Sequence, residues 1–218
     1  MTAMILAAGR GERMRPLTDA LPKPLLQVRG KAIIVHTIER LARAGFTDLV
    51  INHAHLGHMI EAELGDGSRH GVAIRYSAEK EALETAGGIA KALPLLGDSP
   101  FLAVNGDILC DFDYAGLRTF GLAARLAHLV LVPNPPQHPQ GDFALIQDLA
   151  RSEGSPKWTF AGIGLYHPAL FAPVAAGERR PLAPLLRQAM DRGQVSAEVH
   201  TGQWCDVGTP ERLASLNA

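Results

Sequence analysis

The stretch "GRGERMRPLTDALPKP" at residues 9–24 packs two glycines, three arginines, a lysine and three prolines into one run. Glycines let backbone N–H groups approach phosphate oxygens. Arg10, Arg13, Arg15 and Lys23 supply the opposing charge. Pro16, Pro22 and Pro24 stiffen the segment, so less entropy is lost when it is ordered. This composition suits the holding of a phosphate chain, and it equally suits a solvated basic surface loop. Two common nucleotide loops do not fit. A dinucleotide fingerprint needs a third glycine where Met14 stands, a helix directly after it, and an acid near the end of the second strand. A proline inside that helix costs about 3 kcal/mol, and no acid lies between Val28 and Ile38. The pattern G-x-x-x-x-G-K-[ST] is also absent.

Other residues have the types for chemistry. Asp107 follows the apolar run "FLAV" and Asn105-Gly106, and Asp206 lies in "WCDVGT". Taken singly, each reads as a turn aspartate. His53, His55 and His58 form H-x-H-x-x-H, a spacing open to zinc. They lie where a strand leads into a helix, and structural or substrate-side histidines are the expectation. Cys110 and Cys205 are too few for a disulfide framework and read as reduced thiols, with the cytoplasm as the default compartment.

The elements that must position these residues follow from periodicity. Ala3–Ala8 reads as a buried first strand. "AIIVHTIERLARAG" reads as a helix with Ile34, Ile38, Leu41 and Ala42 on one face and Gly45 as its stop. "TDLVINH", "VAIRYS" and "PFLAVNGD" read as strands, and "HMIEAELGDG" and "GGIAKALPLLG" as helices between them. Alternating strands and helices predict a doubly wound sheet whose ligands gather at the carboxyl ends of the strands. The second half is less regular. "AHLVLVPN", "FALIQD" and "FAGIGLYH" read as strands, "LAPLLRQAMDRG" as a helix, "SAEVHTG" and "QWCDVG" as short strands, and "PERLASL" as a last helix with Pro210 first. "PNPPQHPQGD" must be a loop.

The chain has 218 residues, 47% of them hydrophobic and 20% charged, and a net charge of -1. That is a soluble globular composition with room for a real core and no global basic excess to attract nucleic acid. No run approaches a membrane span, and no basic stretch precedes the first apolar run as in a signal peptide.

The glycine loop resembles the signature G-x-G-x-R-[ML]-x-P-L-T-x-x-x-P-K-P of the sugar-phosphate nucleotidyltransferases. The likeness continues through "GDGSRHGVAIRYSAE", "ETAGGIAKAL", "VNGD", "FAGIGLYHP" and "WCDVGTPERL", in the family's order. It implies a single Rossmann-like α/β/α domain over residues 1–218 with a mixed, mainly parallel sheet. Residues 1–110 would mainly bind the nucleotide and 111–218 the sugar, with no appended C-terminal domain. The resemblance implies catalytic roles for Arg15, Lys23, Asp107 and Asp206, the two aspartates holding Mg2+. Lys23 would hold the α-phosphate and Arg15 the departing pyrophosphate. Gly9, Gly11, Glu12, Arg13, Lys23, Thr85 and Gly87 are implied for the nucleotide, and Asn105, Asp142 and Gly162 for the sugar.

Within the family, "INHAHLG", "LETAGG", "QGDFALI" and the short length resemble a branch that joins UTP to N-acetylmuramic acid 1-phosphate, for cell-wall sugar reuse. Thymidylyl transfer to glucose 1-phosphate and guanylyl transfer to mannose 1-phosphate are alternatives, and a non-catalytic nucleotide-sugar sensor is one of a different class. Glu84 stands where many relatives have glycine. The Glu-Lys-Pro segment whose lysine binds the sugar phosphate in relatives has no counterpart, since Lys157 is out of spacing. The implied partners are UTP and a sugar 1-phosphate, with neither nucleic acid nor membrane, in a monomer or small homo-oligomer.

Overall fold

A computed structural model describes residues 1–218. The elements run β1 (Ala3–Leu6), β2 (Gln27–Val28), β3 (Lys31–Ala32), α1 (Ile33–Arg43), β4 (Asp48–His53), α2 (Gly57–Leu64), β5 (Ala73–Ala78), α3 (Glu84–Leu96), β6 (Phe101–Asn105) and β7 (Ile108–Cys110). They continue through α4 (Ala115–Thr119), β8 (Ala127–Val132), β9 (Phe143–Ile146), β10 (Leu149–Arg151), β11 (Lys157–Tyr166), α5 (Leu182–Asp191), β12 (Val195–Val199), β13 (Trp204–Asp206) and α6 (Pro210–Asn217).

One nine-stranded sheet has the order β5-β4-β1-β6-β11-β8-β12-β10-β9. Its first four strands are parallel. β11 then runs antiparallel to both β6 and β8, and β12 lies parallel to β8. The sheet is therefore mixed, with antiparallel pairing concentrated in the strands of the second half.

Side-chain alternation along β1 separates two cores. Ala3 and Ile5 pack with Ile34, Ile38 and Ile60 of α1 and α2. Met4 packs with Ile89 of α3 and Leu185 of α5. Each large apolar side chain so buried contributes about 1.5–3 kcal/mol, and the result is a three-layer domain with helices on both faces.

Between β1 and β2 no α-helix forms. The proline-rich run makes only two single 3-10 turns, Glu12–Met14 and Lys23–Leu25. A third, smaller core anchors it: Met14, Leu26, Val28 and Ile33 bury against Val207, with Leu213 and Leu216 of α6 packed around them. Asn217 of α6 binds the backbone at Gln27 and Arg29, fastening the last helix to the β2–β3 hairpin. Four features escape the periodicity reading: this hairpin, β10, α4, and β7, which pairs with the expected short strand β13 in a separate ribbon. All are too short to show a period.

Candidate active site

The chain leaves β1 for β4 and β5 on one side, then returns to β6 on the other. That reversal opens a crevice at the carboxyl ends of the strands. In register, Leu6 stands between Asn52 of β4 and Asn105 of β6. Above them lies a cleft of about 510 Å³ lined by Gly9, Gly11, Glu12, Arg13, Lys23, Thr85, Asn105 and Asp107, among others. An adjoining cavity of about 280 Å³ is lined by Asn105, Asp142, Gly162, Phe160 and Tyr166. Leu6, Glu84, Thr85 and Asn105 line both, so the two form one continuous site.

Gly11 starts the fold-back of the basic loop. Its φ is +68°, and a Cβ there would lie 3.0 Å from Thr18 Cγ2 and 3.1 Å from Lys23 Cβ. The carbonyl of Gly11 accepts from the Thr18 hydroxyl at 2.8 Å and from the Met14 N–H at 2.8 Å. Lys23 is thereby delivered to the floor of the cleft. Its side chain is only 9% exposed, and its amine is ion-paired with Asp107. A lysine buried to that degree needs such a partner.

Asp206, on β13, lines neither cavity but borders the segment that carries Asp107. It lies opposite Ile108 in the ribbon, and the Val207 N–H donates to the Asp107 carbonyl at 2.8 Å. Its carboxylate is held by Arg212 of α6 and accepts from Gln137 Nε2 at 3.0 Å. Gln137 belongs to the proline-rich loop, which therefore folds onto the site. Asp107, in the turn before β7, and Asp206, on β13, offer hard oxygen donors, a donor set that fits magnesium, which takes few protein carboxylates.

Not every residue expected at the site lines it. Arg15 pairs with Asp19 at 2.9 Å, both side chains 54% exposed, and lies outside the cleft lining, where Arg10 and Arg13 stand instead. Gly87 is buried in α3 with its N–H donated to the Arg180 carbonyl. Asp142 accepts from the Phe160 N–H at 2.8 Å and lies 3.1 Å from His138 Nε2.

Three features were not legible in the sequence. Asn52 accepts from the Ala7 N–H at 3.0 Å and donates to Glu79 at 2.7 Å; Glu79 in turn accepts from the Leu83 N–H at 2.9 Å. Asn52 and Glu79 are 2% and 6% exposed, so this chain of bonds stiffens the strand ends beneath the cleft. Gly88 leaves it room, since a Cβ there would lie 2.7 Å from Asn52 Nδ2. The third feature is Glu84. Its φ is +62°, a left-handed conformation that costs a residue with a side chain about 1–2 kcal/mol. A glycine at this position would carry no such cost. Here Glu84 pairs instead with Arg179 at 2.9 Å.

The histidines do not converge. His53 is buried, 2.6 Å from Glu61 and edge-on to Tyr76, while His55 and His58 are exposed. Both cysteines are free, and burial pushes the Cys110 thiol up to about 11 and the Cys205 thiol in the same direction. Cys110, Asp111 and His200 do bring ligand atoms within 4.8 Å of one another. No helix is long and apolar enough to cross a membrane.

Comparison with known proteins agrees with this arrangement. The family model described as nucleotidyl transferase matches residues 2–148. The N-acetylmuramate alpha-1-phosphate uridylyltransferase of Neisseria meningitidis serogroup B is 55% identical over 227 residues, covering 100% of this chain and 97% of that protein. The protein of the same name from Caulobacter vibrioides is 33% identical, over 99% of this chain and 95% of its own. A crystal structure from Bacillus anthracis, provisionally assigned as a glucose-1-phosphate thymidylyltransferase and in complex with a sucrose, superposes with a TM-score of 0.87. It covers 100% of this chain and 94% of its own at 23% identity, a likeness of fold alone. With the family model spanning residues 2–148 and a relative similar from end to end, the chain belongs to the nucleotidyl transferase family.

Proposed function

We propose that the protein joins UTP to N-acetylmuramic acid 1-phosphate, giving UDP-N-acetylmuramic acid and pyrophosphate, with magnesium as the metal. The observation that carries the chemistry is the buried Lys23 amine, ion-paired with Asp107 in the larger cleft. The substrate pair rests on the 55% identity to a protein named for that reaction.

In this reading an oxygen of the sugar 1-phosphate attacks the α-phosphorus of UTP. The bond from that phosphorus to the bridging oxygen breaks, and the electron pair leaves on pyrophosphate. The reaction brings anions together, so the protein's task is alignment and charge neutralisation, and alignment alone supplies up to about 7–11 kcal/mol. Lys23 stabilises charge at the α-phosphate, where a pre-oriented donor is most effective. Gly9, Gly11, Glu12, Arg13 and Thr85 hold the nucleotide in the larger cleft. Arg15 holds the departing pyrophosphate after leaving Asp19, a solvent-screened pair that is weakly held. Asn105, Asp142 and Gly162 line the sugar side. Asp107 and Asp206 are the residues that would hold magnesium. A bound magnesium ion would supply neutralisation of phosphate charge.

The test is pyrophosphate release over a grid of nucleoside triphosphates and sugar 1-phosphates, with and without magnesium. UTP with N-acetylmuramic acid 1-phosphate is expected to give the highest kcat/KM, and a better pair would overturn the substrate assignment.

A further inference from the structure

The smaller cavity presents a charge problem. Its only charged lining residues are Glu84 and Asp142, both acids. A sugar that carries a carboxylate as well as a phosphate would be repelled there unless a cation met it. Lys23 is at the floor of the neighbouring cleft, 9% exposed and already paired with Asp107. Arg180 is turned to Glu178 at 3.1 Å. Arg179 remains.

Arg179 combines a fixed base with a free head. The Arg180 carbonyl accepts from the N–H groups of Ala86 and Gly87, and the Arg180 N–H donates to the Leu83 carbonyl at 2.9 Å. The backbone beside Arg179 is thus clamped to the first turn of α3. Yet its side chain is 74% exposed, and its one hydrogen-bond partner is Glu84, met through Nη2. A guanidinium has five N–H donors in a planar fork, so an edge stays open for a second carboxylate. Glu84 lines both cavities, and so it holds this fork at their shared border. Glu84 keeps this pairing while standing at a φ of +62°, where a glycine would be unstrained.

We propose that Arg179, aimed by the positioning residue Glu84, binds the lactyl carboxylate of the acceptor sugar and selects a sugar acid 1-phosphate over its neutral counterpart. This rests on the substrate reading given above. The two anions of such a sugar then fall to different cations. The phosphate goes to the buried Lys23 side of the cleft, and the carboxylate, on an arm from a different ring carbon, goes to the exposed rim. A singly charged carboxylate also suits an arginine already shared with Glu84 better than a doubly charged phosphate would.

The experiment measures kcat/KM with UTP for N-acetylmuramic acid 1-phosphate and for N-acetylglucosamine 1-phosphate, which lacks the lactyl arm. Wild type, Arg179→Gln and Glu84→Gln are compared. Arg179→Gln is expected to lower the preference for the muramic substrate roughly 10- to 100-fold, the range of a hydrogen bond to a charged group. Glu84→Gln is expected to raise KM for that substrate several-fold with kcat kept. The methyl ester of the lactyl group is expected to lower wild-type kcat/KM in the same range and to be insensitive to Arg179→Gln. An equal loss on both sugars would assign Arg179 to the phosphate, and a raised KM for UTP with unchanged sugar preference would assign it to the nucleotide. Either result overturns the proposal, as does an unchanged preference. If wild type does not turn over the muramic substrate, the substrate reading itself falls. If it does and the preference ignores Arg179, only the arginine's role falls.

Discussion

In the proposed reaction the chemistry rests on a lysine and an aspartate 84 residues apart in the chain. Lys23→Ala is expected to lower turnover about 10²–10³-fold, the usual loss when one pre-oriented donor to a transition-state oxyanion is removed. The stability loss should stay below the roughly 3–5 kcal/mol of a broken, fully buried pair, because Asp107 is 34% exposed and can be hydrated. Turnover assays and denaturant melts on one preparation separate the two effects. Asp107→Asn should abolish magnesium-dependent turnover while leaving the far-ultraviolet circular dichroism unchanged, and retained turnover would exclude it as a metal ligand. Cys110 makes a third case. Burial raises its thiol to about 11, so at pH 8 only about one molecule in a thousand carries the thiolate. Alkylation there should be slow in the native protein and fast in denaturant. At this scale the sequence was informative about Lys23 and Asp107, whose surroundings are local motifs. It was silent on Asn52, Glu79 and Arg179, because what makes each important is a partner from another segment.

The basic loop works because something holds it. It is fastened by Met14, fully buried against Val207, the residue after Asp206. Met14→Ala opens a cavity in that small core and is expected to cost about 2–5 kcal/mol. It should also raise KM for UTP, since the loop and Asp206 lose a common anchor. A denaturant midpoint that stayed at the wild-type value would remove Met14 from this role. The α-helices and long strands were legible because their apolar residues recur with period 3.6 or form buried runs. β13 was read as a short strand, but its partner β7 was not, since three residues show no period. That ribbon sets Asp206 beside Ile108, the residue after Asp107, a pairing that the sequence did not show.

For the molecule as a whole, residues from both halves of the chain line one continuous site. UTP with magnesium, at about 100 times its Kd, should stabilise the fold by about 2.7 kcal/mol, a rise in Tm of roughly 5–10 °C for a domain of this size. A Tm indifferent to UTP would place the nucleotide elsewhere. The sequence by itself determined the class of fold, the absence of a helix after the glycine loop, and the clustering of basic residues within that loop. These follow from local causes: proline's missing N–H, glycine's backbone freedom and the periodicity of apolar side chains. Only the tertiary structure decided that β1 sits between β4 and β6, that α6 fastens the loop and engages Asp206, and that Arg179 stands over Glu84. Those contacts join distant segments, and their energy comes from burial and pairing that exist only once the sheet has closed.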